Sequence, residues 1–149
     1  MVFLAGQGSR DPKTGQHPEG FEAQVKQALV NLGSVLQAAG LDFSHVVKAD
    51  VYLTDIKYFS RMNLVYRSFF QSAPPARTTI AVPALPGGSQ VEITFLASRS
   101  TRKIIWPEGQ NPNPNTPYSP GVAVGETLYL SGQGSADPKT GQLVPGPIE

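Results

Sequence analysis

The sequence predicts an α+β fold in which two helices cover one face of a sheet. Up to about residue 97, segments with the period of a helix alternate with segments that have the two-residue period of a strand. The predicted order is strand, helix, strand, helix, strand, strand, and three further short strands follow. Two helices of about five turns cannot cover both faces of such a sheet, so we expect association to bury the second face.

The first helix is predicted from about Glu19 to Ala39. Gly40 is expected to end it, because glycine readily adopts the left-handed conformation found at helix C-termini. Its apolar residues recur three and four positions apart, which is typical of a single buried stripe. The members of this stripe are Phe21, Val25, Ala28, Leu29, Leu32, Val35, Leu36 and Ala39.

The next segment, Val46 to Leu53, is predicted to be a strand with two distinct faces. Its alternation places Val47, Ala49, Val51 and Leu53 on one face, and Val46, Lys48, Asp50 and Tyr52 on the other. Apolar residues on that second face, Val46 and Tyr52 together with Leu96, favour oligomerisation.

A second helix is predicted to begin at a cap formed by Thr54 or Asp55 and to reach about Gln71. One polar residue, Asn63, lies on its otherwise apolar stripe. A buried carboxamide must find hydrogen-bond partners, so Asn63 is either a candidate site residue or a partly exposed residue at the edge of the stripe. The stripe consists of Ile56, Phe59, Asn63, Tyr66 and Phe70, with Met62 and Phe69 alongside.

A proline pair, Pro74-Pro75, places Arg77 at the start of the next β-branched strand. Prolines fix φ and restrict the residue before them, so the backbone position of this arginine is tightly constrained. A guanidinium held at the mouth of a strand suits a carboxylate, which it binds through two parallel hydrogen bonds. A surface arginine in a salt bridge is the alternative, and these residues alone leave both open.

The last strand of this unit, Val91 to Ala97, turns Glu92 away from the helices. This glutamate is either a solvated charge at the sheet edge or part of a polar site on the second face. Solvated carboxylates are the commoner case, and periodicity does not separate the two.

Thirteen residues near the N-terminus recur near the C-terminus with an offset of 126, because Gly6 corresponds to Gly132. Only two of the thirteen positions differ, Ala5/Ser131 and Arg10/Ala136. So long a period is that of a whole domain rather than a solenoid unit. We therefore expect most of one domain followed by the opening of another, in a tandem or circularly permuted arrangement in which residues 2–5 and 128–131 compete for one strand position.

Composition excludes several classes of function. There is no cysteine, so disulfides, thiol catalysis and thiolate metal sites are ruled out, and two histidines make a zinc site improbable. A net charge of +1 with scattered basic residues argues against nucleic acid as the main partner. Gly6-Gln7-Gly8 lacks the rest of a phosphate-binding motif. No apolar run could cross a membrane and no secretory signal is present, so a cytoplasmic protein is expected.

Ordered motifs along essentially the whole chain carry a resemblance to a known family. They are Gln24 and Asn31, Val47-Lys48, Val51 to Asp55, Asn63 to Tyr66, Phe69-Phe70, Pro75-Ala76-Arg77, Leu85-Pro86, Val91-Glu92-Ile93, and Ser131-Gly132-Gln133 with its Asp-Pro-Lys-Thr-Gly turn. Together they resemble the reactive-intermediate deaminase (RidA/YjgF/L-PSP) family. The resemblance implies a chorismate-mutase-like fold of the bacillus type: a mixed sheet with two helices on one face, assembled as a trimeric barrel with clefts between subunits.

The resemblance also implies a domain division and a set of site residues. Residues 1–100 would be a family domain lacking its first strands, and residues 101–149 the opening strands and hairpin of a second copy, which complete the fold in cis or by swapping. Carried over by position, the candidate site consists of Arg77 as carboxylate anchor, Tyr118, Glu92, Asn63, and Gly132 or Gly6, with Thr79 where the family often has cysteine.

The activity implied is hydrolysis of 2-imino and 2-enamino acids to 2-keto acids and ammonia, without metal or cofactor. Glu92 is expected to orient or deprotonate the attacking water, assisted by Tyr118 or a backbone group. One alternative is a non-catalytic regulatory trimer in which Arg77 binds a keto acid or another small carboxylate. A less favoured alternative is an endoribonuclease or translation inhibitor, since no aromatic-basic interleaving and no histidine pair supports it.

Overall fold

The computed structural model describes residues 1–108, 116–135 and 142. It contains two α-helices and seven strands, with 3₁₀ turns at Phe43–His45, Ile56–Tyr58 and Pro86–Gly88. In chain order they are β1 (Val2–Gly8), α1 (Phe21–Ala38), β2 (Val46–Leu53), α2 (Phe59–Phe69), β3 (Ala76–Ala81), β4 (Val91–Ala97), β5 (Lys103–Ile105), β6 (Gly121–Val124) and β7 (Thr127–Leu130). Among these residues no helix is both long and apolar enough to cross a bilayer.

Four strands form a mixed sheet in the order β1-β4-β2-β3. Strand β2 runs parallel to β3 and antiparallel to β4, and β1 is antiparallel to β4. Both helices pack on one face of this sheet, where they enclose the main apolar core. The α+β class and the single helical layer are therefore confirmed. Strands β1 and β3 lie at opposite edges of the sheet.

Helix α1 ends as the sequence predicts. Gly40 has φ +68°, the Gly40 amide donates to the Gln37 carbonyl, and the Leu41 amide donates to the Leu36 carbonyl. These two bonds form a Schellman motif, which satisfies the last carbonyls of the helix. The predicted burial is wrong for one residue of the stripe: Val35 lies at the edge of the stripe and is exposed.

The second helical segment begins with a 3₁₀ turn, Ile56–Tyr58, and not with a full α-helix. Asp55 caps this turn by accepting a hydrogen bond from the Lys57 amide at 2.9 Å. Ile56, which the stripe predicted to be buried, is exposed because the 3₁₀ turn does not continue the 3.6-residue period. The rest of the apolar stripe on α2 packs against the sheet and α1.

Strand β2 departs from strict alternation at its first residues. Its register against β4 shifts between Val46 and Lys48, which is the signature of a bulge. As a result Val46 enters the helix-side core, and Val47 packs on the opposite face with Ala76 and Val122. The predicted faces of these two valines are therefore reversed, because one extra residue inverts the side-chain alternation.

The C-terminal part of the chain forms a separate three-stranded sheet in the order β5-β6-β7. The predicted hairpin is present as β6 and β7, joined by a turn at Gly125, where φ is +56°. This hairpin packs on the second face of the main sheet and half-buries Leu96. The chain itself therefore covers part of that face, whereas Phe3 on β1 is 81% exposed.

The two copies of the repeat occupy different places. Residues 2–8 form edge strand β1 of the main sheet, and residues 127–130 form β7 in the smaller sheet. The turn predicted after the first copy is present: the Gly15 amide donates to the Asp11 carbonyl, and Gly15 has φ +72°. The corresponding turn of the second copy (137–141) and most of the proline-rich loop (109–115) lie outside the described residues.

Candidate functional site

Arg77 lies on β3, the parallel edge strand that begins one residue earlier at Ala76. It is paired in register with Ala49 of β2, so its side chain points to the helix side of the sheet. The residue is only 3% exposed. Within the described residues no carboxylate lies within 4.0 Å of its guanidinium, so the surface salt bridge considered as the alternative is not formed.

The guanidinium is held by neutral groups of α2. Its Nη2 donates to Oδ1 of Asn63 at 2.7 Å, and its Nη1 lies 3.8 Å from the sulfur of Met62. Asn63 is buried, which excludes the exposed stripe-edge alternative. The carboxamide oxygen of Asn63 fixes the orientation of the guanidinium but does not neutralise its positive charge. A bound anion could therefore provide the negative counter-charge.

Aromatic rings surround the same guanidinium. Its carbon lies 4.8 Å from the centre of the Tyr66 ring, 4.9 Å from Tyr118 and 5.6 Å from Phe59. These distances fall within the range of cation–π attraction, which strengthens where water is excluded. Tyr118 comes from the segment after the proline-rich loop, so the structure places it beside Arg77 within one chain.

Burial shifts the pKa of two groups at the centre of the cluster, Arg77 and Tyr66. Desolvation lowers the pKa of Arg77, and interactions with Tyr66 and Tyr118 oppose that shift. Desolvation also raises the pKa of the Tyr66 phenol well above its usual value. Tyr66 is therefore neutral at physiological pH, and it does not neutralise the arginine.

The second copy of the repeat binds the outer edge of β3 at Arg77. The Arg77 amide donates to Oγ of Ser131 at 2.8 Å, and the Gly132 amide donates to the Arg77 carbonyl at 3.0 Å. Nearby, the Ser119 amide donates to the Pro75 carbonyl at 3.0 Å. These bonds fix Tyr118, which directly precedes Ser119, over the guanidinium.

A cavity of about 300 Å³ opens beside the guanidinium. A Cβ built on Gly132 would be 3.4 Å from Thr78, so a larger side chain there would project toward this space. The Thr79 hydroxyl is buried and has no hydrogen-bond partner among the described residues. The cavity is lined by Phe59, Arg77, Thr78, Thr79, Ile80, Tyr118, Gly132, Gln133 and Gly134.

Glu92 and Gly6, the remaining predicted site residues, lie elsewhere. They line a separate cavity of about 370 Å³ with Gln7, Arg10 and His17, among others. A Cβ on Gly6 would come within 2.3 Å of the Glu92 carboxylate, so only glycine allows this approach. Glu92 pairs in register with Tyr52 on the second face, whereas Arg77 points to the helix face. The sheet separates the two groups within one chain.

Several residues of the Arg77 cluster were not among the predicted site residues. Phe59, Met62 and Tyr66 were assigned only to the core, although their spacing with Asn63 places all four on one side of α2. Ser131 was noted as a difference between the two copies but given no role. The hydroxyl of Ser131, which Ala5 lacks, could have indicated a contact that only the second copy makes.

The fold and this cavity define a chorismate-mutase-like α+β protein with a buried arginine at a sheet edge. The chain belongs to the Endoribonuclease L-PSP family, whose model matches residues 1–99, and this is the RidA/YjgF family indicated by the motifs. It is 50% identical over 97 residues to the 2-iminobutanoate/2-iminopropanoate deaminase of Bos taurus, covering 64% of this chain and 71% of the relative.

The human protein of the same name is 45% identical over 97 residues, again covering 64% of this chain and 71% of the relative. Among solved structures, E. coli TdcF with bound serine superposes with a TM-score of 0.64 at 35% identity. That match covers 66% of this chain and 80% of TdcF.

Proposed function

We propose that the protein hydrolyses 2-imino and 2-enamino acids to 2-keto acids and ammonia. The observation that carries this proposal is the buried guanidinium of Arg77, which faces a cavity without a carboxylate partner among the described residues. An uncompensated buried charge is costly and is expected to serve a ligand of opposite charge. The names of the deaminase relatives, and the serine in TdcF, support a small amino-acid-like carboxylate.

The reaction needs a group that binds the substrate carboxylate, a water molecule that attacks C2, and a route for proton transfer to the departing nitrogen. The two terminal nitrogens of Arg77 would hold the substrate carboxylate, with Asn63 fixing the plane of the fork. Water adds to C2 of the protonated imine and loses a proton, which gives a carbinolamine. Transfer of a proton to nitrogen and loss of ammonia leave the 2-keto acid. Positioning of this kind supplies several kcal/mol without a covalent nucleophile.

Tyr118 and Thr79 are the cavity groups suited to the polar end of the substrate. The Tyr118 ring lies over the guanidinium, and the Thr79 hydroxyl is buried without a partner. Either hydroxyl could hydrogen-bond the developing carbinolamine. We assign Tyr118 to proton relay and Thr79, with Gly132, to substrate contact.

Glu92 remains our proposed group for orienting the attacking water, although in this chain it lies in the other cavity. In that role it would act in the Arg77 cavity of an adjoining copy, within a homotrimer whose clefts lie between subunits. Glu92→Gln keeps the shape and removes the charge. A fall in kcat with little change in KM is expected, and an unchanged kcat would remove Glu92 from the mechanism. Glu126→Gln, on the exposed β6–β7 turn, is the matched control.

The proposal is tested by 2-iminopropanoate hydrolysis, with the imine generated in situ by an amino-acid oxidase and trapped by semicarbazide as the competing reaction. Arg77→Lys keeps the charge but loses the fork. Each hydrogen bond to a charged group contributes about 1.5–3 kcal/mol, so kcat/KM should fall roughly 10- to 100-fold.

Arg102→Lys is the control for losing a partly buried guanidinium away from the cavity. Arg102 donates to the carbonyls of Val46 and Ala73 and does not line the Arg77 cavity. We expect this variant to lose stability but to retain kcat/KM. Wild-type rates in Arg77→Lys, or equal losses in both variants, would reject the anchor role.

A second function is favoured by one observation, the separation of Glu92 from Arg77 within the chain. If no glutamate reaches the arginine, the cavity would bind a small carboxylate and release it unchanged. Titration with 2-oxobutanoate beside the hydrolysis assay separates the two functions. Binding that depends on Arg77, without imine turnover, would indicate a regulatory carboxylate-binding protein.

A further inference from the structure

Tyr118 borders a second cavity besides the one that contains Arg77. This cavity has a volume of about 350 Å³, and Arg77 does not line it. It lies between the C-terminal end of α2 and the segments around Trp106 and Tyr118, and we call it the Trp106 cavity. Volumes of this size are typical of sites for small organic molecules. Its walls include Arg67, Gln71, Pro74, Trp106, Pro117 and Tyr118.

The backbone around the Trp106 cavity is held in place. Pro74 and Pro117 fix the chain at two points of the wall. Ala73, which also lines the cavity, has φ +47°, an uncommon conformation for a residue with a side chain. Its carbonyl accepts a hydrogen bond from Nη2 of Arg102 at 2.7 Å. Such a conformation persists only where the surrounding structure holds it, so this wall is formed before any ligand arrives.

Trp106 gives the cavity a flat aromatic surface. It is half-buried, and it is the only tryptophan of the chain. Among the described residues, its indole is not stacked on another aromatic ring. The Tyr118 ring and two prolines are further apolar groups of the same wall. Aromatic rings pack favourably against one another when offset or tilted, so this surface suits the aromatic part of a ligand.

Arg67, in the last turn of α2, brings a positive charge to this mainly apolar cavity. Its Nε is buried without a hydrogen-bond partner, and no carboxylate lies within 4.0 Å of its guanidinium in the part of the chain that the structure describes. Buried donors are normally paired in folded proteins. By contrast Arg61, on the same helix, is bound through two nitrogens by Glu22. The charge at Arg67 therefore favours an anionic group in the cavity.

We propose that the Trp106 cavity is a binding site for a small aromatic carboxylate, whose ring packs on Trp106 and whose carboxylate binds the Arg67 guanidinium. A planar guanidinium matches the two oxygens of a carboxylate, and one such group among apolar walls balances a single negative charge. The site is separate from the Arg77 cavity, although Tyr118 borders both. This proposal does not depend on the proposed function.

The single tryptophan allows binding to be followed by fluorescence, because all indole emission comes from Trp106. The probe is 3-phenylpropanoate, which has an aromatic ring and one carboxylate and is not a keto or imino acid. We expect a saturable change in emission with a Kd of about 1 mM or lower. The neutral analogue 3-phenylpropan-1-ol should bind at least about tenfold more weakly, since it lacks the charge. No saturation by 3-phenylpropanoate, or equal affinity for the alcohol, would overturn the proposal.

Three arginine variants locate the bound carboxylate. Arg67→Gln should raise the Kd for 3-phenylpropanoate at least about tenfold, because it removes the charge-assisted hydrogen bonds. Arg61→Gln, which removes a charge from the same helix outside the cavity, is the matched control and should leave the Kd within about twofold. Arg77→Lys should also leave it within about twofold. Equal effects of Arg67→Gln and Arg61→Gln, or a loss confined to Arg77→Lys, would overturn the proposal. If Arg67→Gln does not fold, Arg67→Lys replaces it, with a several-fold rise in Kd expected from loss of the planar fork.

Discussion

Removing the hydroxyl of Tyr66 should stabilise the protein, and the gain should increase at alkaline pH. The hydroxyl is fully buried and has no hydrogen-bond partner among the described residues. An unsatisfied buried polar group costs about 1–3 kcal/mol. Tyr66→Phe keeps the ring that faces Arg77 and stacks on Phe70, so it should raise the free energy of unfolding by about that amount at pH 7.

The pH dependence follows from the raised pKa of the Tyr66 phenol in the folded state. Above about pH 10 an unfolded tyrosine loses its proton while folded Tyr66 keeps it. The unfolded state then binds fewer protons, so stability falls as pH rises from about 10 toward the folded pKa. The loss at pH 11 is about 1.4 kcal/mol, because one pH unit corresponds to about that free energy.

Urea unfolding of wild type and Tyr66→Phe between pH 8 and pH 11 measures both effects. The other tyrosines are common to the two proteins, so their titration cancels in the difference. The stability gap should be roughly constant to pH 9 and about 1.4 kcal/mol wider at pH 11. A variant less stable than wild type, or a gap independent of pH, would refute the assignment of a neutral, unpartnered phenol beneath Arg77.

Three further substitutions test the roles of Asn63, Gly6 and Asp42. Asn63→Leu removes the acceptor 2.7 Å from Arg77 and should cost about 2 kcal/mol in urea unfolding while raising KM more than it lowers kcat; an unchanged KM would separate Asn63 from the site. Gly6→Ala should displace the Glu92 carboxylate and reduce kcat several-fold; an unchanged kcat would show that the position of the carboxylate is unimportant. Asp42→Ala removes the cap of the 3₁₀ turn Phe43–His45 and should cost about 1 kcal/mol at pH 7. Hydrogen bonds from Ser44 and His45 lower the pKa of Asp42, so this contribution should vanish as pH falls below about 4, and a cost independent of pH would contradict it.

Local signals in the sequence predicted most of the fold. Periodicity located both helices, and Gly40 marked the end of the first because its left-handed backbone closes a Schellman motif. Alternation failed at Val46 and Val47, since a bulge inverts side-chain faces without leaving a signal in residue type. The exposure of Ile56 was missed for a related reason. The 3₁₀ turn is still capped by Asp55, but its side chains do not follow the 3.6-residue period of an α-helix.

Candidate site residues could be predicted where an unusual residue type occurred at a distinctive place in a strand or helix pattern. The proline pair and the polar break in the α2 stripe indicated Arg77 and Asn63 independently, and the structure joins them by a hydrogen bond. The separation of Glu92 from Arg77 could not be read from the sequence, because it depends on which face each edge strand presents. The role of Ser131 depends on a docking contact between segments 54 residues apart.

The most direct test of the central claim is a crystal structure of the protein with bound 2-oxobutanoate, the stable keto-acid product of 2-iminobutanoate hydrolysis. We expect both carboxylate oxygens to lie within hydrogen-bond distance of the terminal nitrogens of Arg77, with C2 facing the Tyr118 and Thr79 hydroxyls. A keto acid bound in the Gly6–Glu92 cavity, with Arg77 still without an anion, would contradict it.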